Sequence, residues 1–338
     1  MNHKIIDVAL AVIKDKLGRY LVAQRPVSTD YADYWEFPGG KREAGEDRLQ
    51  VLQRECSEEL GINVEHARPL FRWSYQYKVN AEGRHECRKP EGVSVEGALG
   101  YSDKHVRLDA WLIDGYSGEA HGAEGQQVRW LYPGEFGEYR FLEANKVLMN
   151  VLALPECCAI TPEIGVEKDF YSQLDIFLSK NSISLLQFRA KNLSESIYKI
   201  QASNVVARCA EHNVTVMLNA EPAWAETVGD AGLHLPSQRL MSSDSRPVAK
   251  DRWLSASCHS AEELEHAERI GVDFVFLSPV LPTQSHPGAK VLGWEVLEGL
   301  VSKANIPVYA LGGMTTRHLD QAQQLGCQGI ASISEFWQ

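Results

Sequence analysis

The chain has 338 residues, 44% of them hydrophobic, which is enough for two domains with full cores. Its formal net charge is −11 with no Lys/Arg block, so the overall field repels a nucleic-acid backbone and argues against direct duplex binding. A free nucleotide carried with a metal stays open, because a local site can oppose the global sign. Seven cysteines, an odd number without CxxC spacing, point to reduced thiols and a cytoplasmic protein. Cys157-Cys158 read as strand residues. The apolar run 5–13 is too short for a membrane span, carries Asp7 and lacks a cleavage site. It reads as a core strand, with 19–24 as its partner across the KDKLG turn.

QRPVSTDYADYWEFPGG then leads into residues 39–62, GGKREAGEDRLQVLQRECSEELGI. Gly40 is followed after five residues by Glu46, and after seven more by Arg54-Glu55, Cys56, Glu58-Glu59 and Gly61-Ile62. Leu49, Leu52 and Cys56 recur at helical intervals, predicting an amphipathic helix over 47–60 that Gly61 ends. Glu55 lies three and four residues from Glu58 and Glu59, so the carboxylates crowd onto one face. Their repulsion becomes attraction around Mg²⁺ or Mn²⁺, cations that favour oxygen ligands beside substrate phosphates. Gly39-Gly40 lets backbone approach a ligand. A merely solvated acidic face leaves the glycines, Arg54 and Glu46, all in register, without explanation.

This spacing is that of the Nudix box, and QRP with EFPGGK resembles the MutT-type branch, the 8-oxo-dGTP diphosphatases. The resemblance implies a Nudix α/β sandwich fold. It also implies hydrolysis of a nucleoside triphosphate, 8-oxo-dGTP above all, to monophosphate and pyrophosphate by metal-activated water. The implied metal set is Gly40 (through its carbonyl), Glu55, Glu58, Glu59 and Glu124, with Arg54 holding the box carboxylates. Arg25 becomes a phosphate or sugar contact, Gly39 part of the substrate site, and Phe37 a base-packing residue, with plain core packing as the alternative.

After the box, 70–77 and 106–113 are strand-like, and the polar segment 78–101 between them looks like an inserted loop that overhangs the site or contacts the second domain. In GAEGQQVRWL, Glu124 matches the family glutamate that reaches the metals, and it competes with Glu58 for the role of general base. In FLEANKVLMNVLAL, Asn145 matches the asparagine that hydrogen-bonds the oxidised purine. Its amide offers donor and acceptor together; a helix N-cap is the alternative.

Leu154-Pro155 changes the rhythm. Apolar runs at 157–160, 184–188, 214–218, 232–235, 253–257, 274–277, 308–311 and 329–333 alternate with helical stretches such as 194–212 and 261–270. Eight such runs predict a (β/α)8 TIM barrel over 154–338, after an N-terminal domain of 1–153. LLQFRAK, LNAEPAWA, SASCHS, SPVLPTQSHPGAKVLGW, ALGGM and IASISEF resemble the thiamine phosphate synthase and thiazole tautomerase superfamily. The resemblance implies a thiamine-pathway phosphate ligand held by Gln187, Arg189, Lys191, Asn219, Thr283, Ser285, Gly313 and Ser334, and His259 as acid/base. Arg189 and Lys191 stand two apart at a strand end, so both are expected to point one way. Two departures stand out. The synthase pattern places Mg²⁺-holding aspartates in two turns that here read Asn219-Ala220-Glu221 and Ser237-Gln238-Arg239. Synthase chemistry is therefore doubtful, leaving a metal-free reaction or a sensing barrel. The fusion also keeps open a thiamine-related pyrophosphate as the Nudix substrate.

Overall fold

The computed structural model describes residues 5–26, 31–77, 105–162, 169–180, 182–283, 288 and 290–337. The expected insertion 78–101 and Ser285 lie outside them. The chain divides into two compact units, 1–153 and 154–338. None of the described helices is long and apolar enough to cross a membrane.

The first unit opens with strands β1 (Ile6–Ile13), β2 (Tyr20–Gln24), β3 (Trp35–Glu36) and β4 (Gly39–Lys41). Helix α1 (Arg48–Leu60), strands β5 (Asn63–Gln76), β6 (His105–Ser117) and β7 (Val128–Leu131), and helix α2 (Lys146–Ala153) follow. They form a mixed sheet in the order β4-β1-β6-β5 and a second sheet β3-β2-β7. The expected pairing of β1 with β2 is corrected to a single bridge, Lys14 to Tyr20. β1 instead runs parallel to β6 and antiparallel to β4, because it is apolar on both faces and needs cover on each. Ala9, Ala11 and Ile13 face α1, whereas Leu10 and Val12 face the second sheet and α2.

α1 buries Val51, Leu52, Cys56 and Leu60 against that sheet, each large side chain contributing about 1.5–3 kcal/mol. Leu49, counted toward the apolar stripe, is exposed, and Val51 takes its place. Asp47 lies outside the helix as its N-cap, in a capping box with Gln50, and Gly61 closes it with φ 66°. This fixed helix is what sets the box carboxylates against β4.

The second unit is a closed barrel of parallel strands β8 (Cys157–Ile160), β9 (Leu185–Phe188), β10 (Thr215–Asn219), β11 (Gly232–Leu235), β12 (Leu254–Cys258), β13 (Phe274–Leu277), β14 (Val308–Leu311) and β15 (Gly329–Ser332). Its helices include α3 (Phe170–Lys180), α4 (Glu195–Glu211), α5 (Pro222–Ala225), α6 (Ser237–Met241), α7 (Ala261–Ile270), α8 (Gly293–Val301) and α9 (Leu319–Gln324). Strand alternation divides the side chains. Leu186, Phe188, Leu233, Leu254 and Ala256 pack toward the helices, while Cys158, Leu185, Met217, Phe274 and Phe276 fill the interior. The same alternation turns Gln187, His234, Ser255 and Ser257 inward, polar groups inside an apolar barrel.

Candidate active sites

In the first unit Arg54 is the hub. Its Nε and Nη2 donate to the two Glu46 oxygens at 2.7 and 3.1 Å, Nη1 to Glu55 at 2.7 Å and to Glu58 at 3.3 Å, and Nη2 to the Lys41 carbonyl at 3.2 Å. Those bonds, with the Glu43 N–H, bring the Glu46 carboxyl down to about 2. One guanidinium thus ties the start of the box, β4 and α1 together.

Glu55 stands against Gly40: a Cβ added there would lie 1.9 Å from Glu55 Oε1. Glu59 accepts from the Gly39 N–H at 3.0 Å. Burial pushes the Glu59 carboxyl up to about 8; the Gly39 N–H opposes this, and the charges of Glu36, Glu55 and Glu124 add to it. Burial raises Glu55 too, against Arg54. Glu36 was not singled out from sequence. It is raised by burial and held by Arg25, whose Nη1 reaches its oxygens at 2.8 and 2.6 Å. The residue sits in EFPGGK, the signal that could have marked it. Gln126 was also missed. Its Nε2 donates to the Glu59 carbonyl at 2.8 Å and its Oε1 accepts from the Glu124 N–H at 2.9 Å, which clips the Glu124 loop to the end of α1. Glu124 and Glu58 themselves are exposed.

Among the described residues no three Asp, Glu, His or Cys side chains already converge as a metal group; Glu55 is turned onto Arg54 and Glu59 onto Gly39. The donor set nevertheless fits a divalent cation. The charges of Glu36, Glu55 and Glu124 bear on Glu59, those of Glu58 and Glu46 bear on Glu55, and the Cβ-free Gly40 leaves backbone beside them.

Two other expected contacts separate. Phe37 is 0% exposed, its ring 6.0 Å from both Phe136 and Phe141. It packs the core and offers no face to a base. Asn145 ends a 3₁₀ turn, Glu143–Asn145, is 2% exposed, and its Nδ2 has no hydrogen-bond partner among the described residues.

At the C-terminal ends of the barrel strands, Gln187 is buried in β9. Arg189 and Lys191 lie beyond the end of β9. The expected strand alternation therefore does not apply to them: Arg189 is partly buried, with backbone bonds to Thr161 Oγ1, and Lys191 is exposed. Asn219 ends β10, Thr283 is partly buried and Ser334 exposed. Gly313 has φ 67°, and a Cβ there would meet the Pro282 carbonyl at 2.7 Å, so only glycine fits. His259 is exposed; its Nδ1 donates to the Ser278 carbonyl at 2.6 Å, leaving Nε2 without a protein partner among the described residues.

His234, which the sequence reading passed over, lies between Ser255 Oγ and Ser257 Oγ, each 2.9 Å from one ring nitrogen. Burial, then Arg239 and Arg189, lower its pKa to about 3, so the ring is neutral. The turns after β10 and β11 meet through Arg239, which donates to the Ala220 carbonyl at 2.8 Å and to Glu221 Oε1. A divalent cation does not fit here: Glu221 is the single carboxylate of these turns and is already paired with a guanidinium.

Fold and sites together define a two-unit protein, an α/β unit built around an acidic helix followed by a barrel with a basic rim. The NUDIX domain pattern matches residues 4–152, and the thiamine monophosphate synthase pattern matches 157–336. An 8-oxo-dGTP diphosphatase from Haemophilus influenzae is 30% identical over 45% of this chain and 94% of its own length. A protein of Aquifex aeolicus, provisionally named thiamine-phosphate synthase 2, is 35% identical over 55% of this chain and 99% of its own. A solved structure of thiamine phosphate pyrophosphorylase from Pyrococcus furiosus is 23% identical, covering 56% of this chain and 87% of that one, with a TM-score of 0.44. The chain belongs to the Nudix family over its first unit and to the thiamine monophosphate synthase family over its second.

Proposed function

We propose that the first unit, residues 1–153, hydrolyses 8-oxo-dGTP to the monophosphate and pyrophosphate with Mg²⁺, and so clears an oxidised purine nucleotide from the cytoplasmic pool. The observation that carries this reading is the carboxylate cluster at Gly39-Gly40, in which Glu59 is held up to about 8 by burial and by Glu36, Glu55 and Glu124. Glu55, Glu58, Glu59, Glu124 and the Gly40 carbonyl would hold Mg²⁺ or Mn²⁺. When bound, the cation polarises phosphate oxygens and favours deprotonation of water. Arg54 fixes Glu55 in place. Glu124 or Glu58, both solvent-facing, takes the proton from the attacking water on a carboxylate oxygen. Arg25 contributes charge near the phosphates, and Asn145 meets the purine edge with an Nδ2 that has no partner among the described residues.

The barrel, 154–338, is proposed to hold a phosphate ester at Gln187, Arg189, Lys191, Asn219, Thr283, Ser285, Gly313 and Ser334. Its His259 has an Nε2 with no protein partner among the described residues, suited to moving a proton without a metal. The fusion itself favours a second reading, in which the Nudix substrate is a thiamine-related pyrophosphate. Glu55→Gln tests the metal assignment. Turnover should fall at least about 1,000-fold, with an unchanged circular dichroism spectrum. Near-normal turnover would remove Glu55 from the site.

A further inference from the structure

The turns after β10 and β11 belong to neighbouring, hydrogen-bonded strands, and both open at the C-terminal rim, where barrels place their ligands. Arg239 spans them. It bonds the Ala220 carbonyl at 2.8 Å and Glu221 Oε1, two of the five N–H donors a guanidinium carries. Arg189 rises from the end of the next strand, β9, and Lys191 follows it. β9, β10 and β11 are neighbours in the barrel, so Arg189 and the turns joined by Arg239 lie along one arc of the rim.

The rim carboxylates are committed elsewhere. Glu221 is paired with Arg239, and Glu263 accepts from Ser237 Oγ and from the His259 N–H, each at 2.6 Å. A divalent cation entering here would find no unpaired carboxylate on these turns and would be repelled by the guanidinium.

We propose that the barrel binds the phosphate or pyrophosphate group of its ligand without a divalent cation, with the clamped guanidinium of Arg239 as the fixed positive charge. The inference rests on the barrel reading given above, that its rim holds a phosphate ester. Arg239 suits the task. Its planar fork can meet two phosphate oxygens at once, and its charge does not titrate. Glu221 and the Ala220 carbonyl are positioning groups that aim it. His234 stays neutral, so through Ser255 and Ser257 it adds polarity and no further charge. Such a rim suits a phosphate that is bound and kept. Its turns offer no unpaired carboxylate for the cation that would carry charge away with a departing pyrophosphate.

The test is calorimetric titration of the full chain with inorganic pyrophosphate, in EDTA and in Mg²⁺, with Arg189→Ala assigning the heat to the barrel. The expected result is binding in EDTA that Mg²⁺ does not tighten and that Arg239→Gln weakens at least ten-fold. Arg239→Lys should recover part of the loss, and thermal melting should show each variant folded. If Arg239 variants fail to fold, the unsubstituted chain decides: binding in EDTA that Mg²⁺ tightens at least ten-fold overturns the proposal. Binding that needs Mg²⁺ and disappears in Glu221→Gln also overturns it, while the rim remains an anion site. No binding in either buffer, or binding indifferent to Arg189→Ala, overturns the barrel reading itself and this inference with it.

Discussion

Asn145→Leu separates a ligand-reading residue from a structural one. The wild-type side chain is 2% exposed, with an Nδ2 that has no partner among the described residues. A buried polar group left unpaired costs about 1–3 kcal/mol. Leucine has nearly the same shape and removes that cost, so the first unit should gain about 1 kcal/mol or more. For a unit of this size that is a rise of roughly 2–4 °C in Tm per kcal/mol. The same substitution should lower kcat/KM for 8-oxo-dGTP by about 10–100-fold, the loss of one or two neutral hydrogen bonds to the purine. Differential scanning calorimetry on the intact chain, where the two units can melt separately, and steady-state kinetics supply the two readouts. A lower Tm with unchanged turnover would refute the reasoning, because it would make the amide a structural partner rather than a reader of the base.

The two box glycines should part ways. Gly40→Ala puts a Cβ 1.9 Å from Glu55 Oε1, a flexible side-chain end, so Glu55 swings off Arg54. Turnover should drop at least about ten-fold with a stability loss within about 1 kcal/mol. Gly39→Ala meets the Ala9 carbonyl at 2.1 Å at φ 144°, so it should destabilise the first unit by about 3 kcal/mol or more. Denaturant melts compare the pair, and equal stability losses would contradict the assignment of Gly40 to the site. His234 predicts a pH effect in the barrel. Its folded pKa of about 3 lies below the unfolded value of about 6.5. Between these values the unfolded chain takes up a proton that the folded one refuses, so stability is lost as pH falls through that window. The slope is at most about 1.4 kcal/mol per pH unit. His234→Gln should flatten the limb between pH 6 and 4 by about that slope, and parallel limbs would show the ring is not the source.

Much of this was legible before the structure. The box spacing gave α1, its cap and its crowded carboxylates, because a helix, a glycine stop and paired acids all leave local marks. Eight apolar runs gave the barrel for the same reason. What stayed hidden depends on which segments meet. β2 reads as the partner of β1, yet long-range cover of both faces of β1 decides its neighbours. Phe37 offers base packing or core with equal plausibility in sequence, and only the position of Phe136 and Phe141 distinguishes them. Glu36 and Gln126 acquire meaning by facing Arg25 and the end of α1. The Glu221–Arg239 pair is the plainest case. In sequence it is two missing aspartates, and in the fold it is one built-in ion pair.

Steady-state hydrolysis of 8-oxo-dGTP, dGTP and thiamine diphosphate by the full chain, side by side in Mg²⁺ with products separated by chromatography, bears most directly on the central claim. The account predicts monophosphate and pyrophosphate from the purine nucleotides, with 8-oxo-dGTP at least about ten-fold ahead of dGTP in kcat/KM. Preferred cleavage of thiamine diphosphate, with the two purine nucleotides alike, would contradict it.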